Sequence, residues 1–299
     1  MTQLATTIHG SIPALVTPMF EDGSVDWNGL KQLVEWHIEQ GTHGIVAMGT
    51  TGEASTLSME EHIRVIAEVV QIANKRIPVI AGTGANSTVE AVELTQEAQK
   101  IGADAALLVT PYYNKPTQEG LYQHYKKIAE SVDIPQILYN VPGRTGVDMQ
   151  NSTVIRLSHL DNIVGIKDAT GDVPRGMQLM HGLNPAQMVV FSGDDATAWE
   201  LILAGARGNI SVTANVAPRV MSLMCEAALA DNKAEAHRLN TQVAQLHDIL
   251  FCESNPIPVK WALHEMGKIG TGIRLPLTPL AEQFRPPLRE ALKAAMQLI

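Results

Sequence analysis

The sequence predicts a (β/α)8 barrel of the TIM-barrel class with a small C-terminal helical domain. Three observations predict it. Short apolar runs alternate with amphipathic stretches of helical length along most of the chain. Eight of those runs have the brevity and density of strands buried on both faces of a parallel sheet. The length of 299 residues suits one barrel of about 250 residues plus an extension.

The strand-like runs fall at 12–16, 44–47, 78–81, 105–109, 136–139, 163–166, 188–191 and 208–212. Between them, 26–40 sets Leu30, Leu33, Val34 and His37 on one helical stripe. The segment 58–73 opens with Ser58 three residues before Glu61, the spacing of a capping box, and 87–101 repeats it with Ser87 and Glu90. Further helical patterns occupy 118–131, 152–160, 174–183, 197–204 and 218–230. Eight β–α pairs in succession favour a closed barrel, with an open doubly wound sheet as the alternative. After Asp231 the strand signals stop. Segments 234–251, 256–266 and 279–298 read as helices, divided by Ser254-Asn255-Pro256 and by the Gly/Pro-rich stretch 267–276. Residues 1–231 are therefore assigned to the barrel and 232–299 to the helical domain.

The chain carries a net charge of −9 and a pI near 5.6, which argues against nucleic acid or an anionic membrane as the main partner. Residues 1–20 lack the charged and apolar regions of a secretory signal, and no apolar run approaches the roughly 18 residues of a membrane span. Cys225 and Cys252 stand far apart, as in a reduced, cytoplasmic protein.

In a closed barrel the chemistry sits where strands end. Those ends are Gly49-Thr50-Thr51-Gly52-Glu53, Thr110 to Pro116 with Tyr112 and Tyr113, Tyr139 to Gly146, Lys167-Asp168, Ser192-Gly193-Asp194-Asp195 and Ser211 to Thr213. Lys167 is the most informative. It closes an apolar run, so its amine needs a partner or a role, and an apolar barrel mouth would free it for Schiff-base formation. From position alone it could instead cap the strand and reach solvent. Tyr139, on the preceding strand, could exchange protons beside it, or be an ordinary core tyrosine. Thr50 and Thr51 could hold a carboxylate or merely form a turn. Arg144, in a Pro-Gly turn, could fork onto a second carboxylate or pair at the surface. The run Gly82-Thr83-Gly84-Ala85-Asn86-Ser87 lacks the third glycine of a dinucleotide fingerprint, so no nucleotide cofactor is expected. No histidine pair has metal-ligand spacing, so no metal is expected either.

Taken together, GTTGE at 49–53, the tyrosine opening Tyr139-Asn140-Val141-Pro142-Gly143-Arg144-Thr145-Gly146, and Ile166-Lys167 resemble the dihydrodipicolinate synthase and N-acetylneuraminate lyase family over essentially the whole chain. The resemblance implies a (β/α)8 barrel with C-terminal helices, assembled as a homotetramer of tight dimers. It implies Lys167 as the Schiff-base lysine, Tyr139 as proton shuttle, and Thr50 as the link from Tyr139 to Tyr113 of a second subunit. Thr51, with Gly193 and Ile210 through their backbones, would hold pyruvate, and Arg144 the carboxylate of L-aspartate 4-semialdehyde. The intact Val141 to Gly146 motif favours the synthase branch over sugar-acid aldolases. A silent metabolite-binding member is a further alternative that Lys167 and Tyr139 disfavour. The resemblance also implies feedback by L-lysine at Ser55, His62, Asn86, Glu90 and Tyr112, weakened by Met59 where inhibited members often carry histidine. Position alone would equally make His62 an exposed helix residue and Glu90 a first-turn acid.

Overall fold

The computed structural model describes residues 8–296. Eight parallel strands form one sheet: β1 (Gly10–Pro13), β2 (Ile45–Ala47), β3 (Val79–Gly82), β4 (Ala105–Val109), β5 (Gln136–Asn140), β6 (Ile163–Asp168), β7 (Val189–Ser192) and β8 (Gly208–Ser211). Their order runs β1-β8-β7-β6-β5-β4-β3-β2. A parallel bridge from Ala14 to Val46, with the Leu15 N–H donating to the Val46 carbonyl at 2.9 Å, joins the ends. The sheet is a closed barrel, and the doubly wound alternative falls.

The helices follow the expected periodicity: α1 (Trp27–Glu39), α2 (Met59–Ala73), α3 (Thr88–Ile101), α4 (Gln118–Ser131), the single turn α5 (Pro142–Thr145), α6 (Asn151–Leu157), α7 (Val173–Gly182), α8 (Ala198–Leu203) and α9 (Pro218–Leu229). In α1 the stripe Leu30, Leu33, Val34 and His37 is buried. The capping box at Ser58 and Glu61 is complete, whereas Ser87 accepts the Glu90 N–H at 3.5 Å as a simple N-cap. Beyond the barrel come α10 (Lys233–Ile249), α11 (Ile257–Glu265) and α12 (Arg285–Met296).

Three expected boundaries need correction. The last helix does not begin at 279: a 3-10 turn at Glu282–Phe284 precedes it. Pro286 and Pro287 are tolerated in a first turn, where their missing N–H groups cost nothing, but not deeper in a helix. Its expected end at 298 lies outside the described residues. Strand β1 ends at Pro13 rather than 16, and β6 runs on through Lys167 and Asp168.

The barrel lumen is filled by Ile12, Val46, Ile80, Leu107, Ile137, Val164, Phe191 and Ile210, with Tyr139 in the same cluster. The larger apolar layer lies between strands and helices. The glycines of 82–87 belong to this packing. A Cβ on Gly82 would collide with the Met48 carbonyl, and one on Gly84 with the Val109 N–H, so both exist to let neighbouring backbones approach.

Candidate active site

Lys167 and Tyr139 face each other across β5 and β6, paired in register. Strict alternation from Ile163, which lies in the layer outside the barrel, would turn Lys167 outward as well. It does not, because the ladder slips: Gln136 pairs with Ile163 but Ile137 with Gly165. This bulge leaves Val164 in the lumen, returns Ile166 to the outer layer, and aims Lys167 inward. The Lys167 amine lies 4.2 Å from the Tyr139 ring centroid, and both residues are buried.

The GTTGE segment is a 3-10 turn at Thr50–Gly52 closed by Glu53 in the left-handed region. Thr51 Oγ1 accepts a hydrogen bond from Asn255 Nδ2 at 3.0 Å, and Arg144, on α5, donates to the Asn255 carbonyl at 3.3 Å. One residue of the supposed spacer 254–256 thus ties together both expected carboxylate ligands. Glu53, with 1% exposure, forms a buried ion pair with Lys260 of α11 and accepts the Arg274 N–H at 3.2 Å. Burial pushes the Lys260 pKa down, and the Glu53 carboxylate only partly offsets it. Asn255 and Lys260 were not among the expected site residues. A signal for Lys260 existed: it sits inside Ile257-Pro258-Val259-Lys260-Trp261-Ala262, an apolar run whose buried cation needs a partner as much as Lys167 does.

Gly193 stands against Lys167. A Cβ there would lie 2.7 Å from Lys167 Cε and 2.9 Å from its Cγ. Its N–H is spent on the Asp168 carbonyl at 2.7 Å, so it offers the site a carbonyl and free space. The site opens into a cavity of about 130 Å³ lined by Thr50, Thr51, Tyr139, Arg144, Lys167 and Gly193, among others. Ile210 is not among its lining residues: its side chain fills the lumen below, and Val212 lines the wall instead. Behind Gly193, the buried Asp195 carboxylate accepts from Asn209 Nδ2 (2.7 Å) and from the Val212 and Thr213 N–H groups (3.0 and 2.8 Å). Burial pushes its pKa up, but His247, Ser211, Thr213 and Asn209 together bring it below the ordinary value.

A second cavity of about 310 Å³ adjoins the first, with Thr50, Tyr139 and Arg144 lining both. Ser55, His62, Glu90 and Tyr112 line it; Asn86 does not, but donates to the Tyr112 carbonyl at 3.2 Å. The exposed-helix reading of His62 is overturned. It is buried, with Nε2 2.7 Å from the Gly82 carbonyl, and burial lowers its pKa. Burial, and then Glu90, raise the pKa of Tyr112. Met59 is exposed and does not line this cavity. Tyr113 is not brought to the site of its own chain: it is 89% exposed, with φ +73°.

The pattern of the dihydrodipicolinate synthetase family matches residues 7–295. The chain belongs to that family. The 4-hydroxy-tetrahydrodipicolinate synthase of Marinobacter nauticus is 63% identical over 289 residues, covering 96% of this chain and 99% of that protein. The dihydrodipicolinate synthase of Acinetobacter baumannii, chloride-inhibited and solved with pyruvate, is 71% identical with a TM-score of 0.96, covering 97% of this chain and 99% of that one. The Cyanidioschyzon merolae enzyme, solved with lysine bound, is 37% identical with a TM-score of 0.92, covering 96% and 98%. Among the described residues, no helix is long and apolar enough to cross a membrane.

Proposed function

We propose that this chain condenses pyruvate with L-aspartate 4-semialdehyde to 4-hydroxy-tetrahydrodipicolinate, on the route to diaminopimelate and lysine. The observation that carries this reading is the inward-facing Lys167 amine over Tyr139, in a cavity flanked by Thr51 and Arg144. The amine adds to the pyruvate ketone and water leaves, giving an imine. Tyr139 removes a methyl proton to form the enamine and handles protons at each later step. Thr51 receives the pyruvate carboxylate. Arg144 receives the carboxylate of the semialdehyde, whose aldehyde the enamine carbon attacks. The semialdehyde's amino group then closes the ring onto the imine carbon and expels Lys167. Thr50 passes protons between Tyr139 and Tyr113 of a partner subunit in a homotetramer of tight dimers, and the exposure of Tyr113 supports the shared site.

Incubation with pyruvate and borohydride should add one reduced pyruvyl group, mapped to Lys167. Labelling that persists in Lys167→Ala would overturn the assignment.

The second cavity supports weak feedback by L-lysine, with Glu90 facing the ammonium and Tyr112 covering the ligand. His62 spends one ring nitrogen on Gly82, and Met59 supplies no compensating hydrogen bond. Lysine titrated against initial rate should inhibit partially, and strong inhibition surviving Glu90→Ala would refute this site.

A further inference from the structure

A third cavity, of about 200 Å³, lies among residues of α11, α12 and the segment between them. It shares no lining residue with the two cavities at the barrel mouth. Its lining carries three cations, Lys260, Arg285 and Arg289, against one carboxylate, Glu265, beside the Trp261 ring. Glu265 is engaged by Arg289, whose Nε donates to it at 2.7 Å. Lys260 is buried, and among the described residues its one side-chain hydrogen bond goes to Glu53, which leaves two of three ammonium donors without an acceptor. Arg285 spends Nε on the Leu280 carbonyl at 3.1 Å, and among the described residues its two terminal nitrogens have no hydrogen-bond partner.

We propose that this cleft binds a small organic carboxylate with an apolar body, held between Lys260 and Arg285 and packed on Trp261. Lys260 is the buried cation of the three, and a buried cation with unspent donors is costly unless an anion or water completes it, while Arg285 is half-buried at its side. Ile257, Ile273, Pro279 and Leu280 line the cavity beside these polar groups, and such a mixed wall suits a small molecule with an apolar body better than a bare ion. Lys260 is also the partner of Glu53, which closes the turn bearing Thr50 and Thr51. An anion here competes with Glu53 for the same ammonium, loosens that turn, and raises the KM for pyruvate more than it alters kcat. This coupling rests on the function proposed above; the binding does not.

The probe is benzoate, titrated by calorimetry and saturation-transfer NMR into the full-length Lys167→Ala, Arg144→Met variant, in which the active site is disabled as a carboxylate trap. Saturable binding is expected, weakened at least tenfold by adding Arg285→Met, with the unfolding midpoint unchanged. Absent binding, or binding indifferent to Arg285→Met, would overturn the site. Equal displacement by inorganic phosphate would overturn the carboxylate class. In the otherwise unaltered enzyme, benzoate should raise the pyruvate KM severalfold, and Arg285→Met should abolish that effect. Binding without a KM change would refute the coupling alone. An enzyme that makes no product while still binding benzoate would refute the proposed function and leave the site standing.

Discussion

Replacing Gly193 by alanine puts a single methyl group against the reacting lysine. The added Cβ would lie 2.7 Å from Lys167 Cε, 2.8 Å from Ala169 Cβ and 2.9 Å from Lys167 Cγ. Carbon atoms settle at about 3.5–4.0 Å, so Lys167 must retreat by roughly 1 Å. Ala169, fixed by its backbone, yields less than a long side chain. Overpacking of this kind costs about 1–3 kcal/mol of stability, which a barrel of this size tolerates. Catalysis is more sensitive, because a misplacement of about 1 Å at a reacting group costs on the order of 100-fold. The substitution leaves the backbone bond from Gly193 to the Asp168 carbonyl available, so the effect reports on the position of Lys167. Steady-state kcat/KM and the rate of borohydride-trapped imine should both fall about 100-fold, with little change in the circular dichroism spectrum. Imine formation at the unaltered rate would refute the steric reasoning.

Arg144→Ala removes a charge-assisted hydrogen bond to the second substrate, worth about 1.5–3 kcal/mol or roughly one to two decades in rate. Imine trapping at Lys167 should stay largely intact, and equal loss of pyruvate binding would reassign Arg144 to the first substrate. Inactive Tyr113→Phe and Tyr139→Phe chains, mixed under subunit exchange, should regain activity, because a mixed dimer holds one site with both tyrosines; no recovery after verified exchange would count against a shared site. Stability should fall on acidification. Burial holds His37 at about 3 and His124 at about 4, against 6.5 when unfolded. Between those values the unfolded chain binds protons that the folded chain does not, so stability is lost as pH drops below 6.5. At pH 5 each histidine costs about 2 kcal/mol. Urea midpoints at pH 5 and 7.5 test this: His37→Leu should shrink the difference, and equal midpoints in the parent chain would contradict the sign.

What the sequence determined by itself was local and periodic. Strand and helix alternation depends on which residues are apolar and how they are spaced, and the Ser58–Glu61 cap spans only three residues, so both were legible before any fold was known. Lys167, Tyr139, Thr51 and Arg144 were recognisable as chemistry-bearing types at strand ends. Which way they point was not. A bulge between Ile163 and Gly165 reverses the phase of β6 and turns Lys167 into the lumen, and bulges follow from how neighbouring strands pack, not from one strand's pattern. Partners distant in the chain were equally hidden. Asn255 reaches Thr51 and Arg144, and Lys260 neutralises Glu53 across 207 positions of sequence. Such pairs exist only once the barrel closes and the C-terminal helices fold against its mouth, where a buried charge finds whatever opposite charge the tertiary structure delivers.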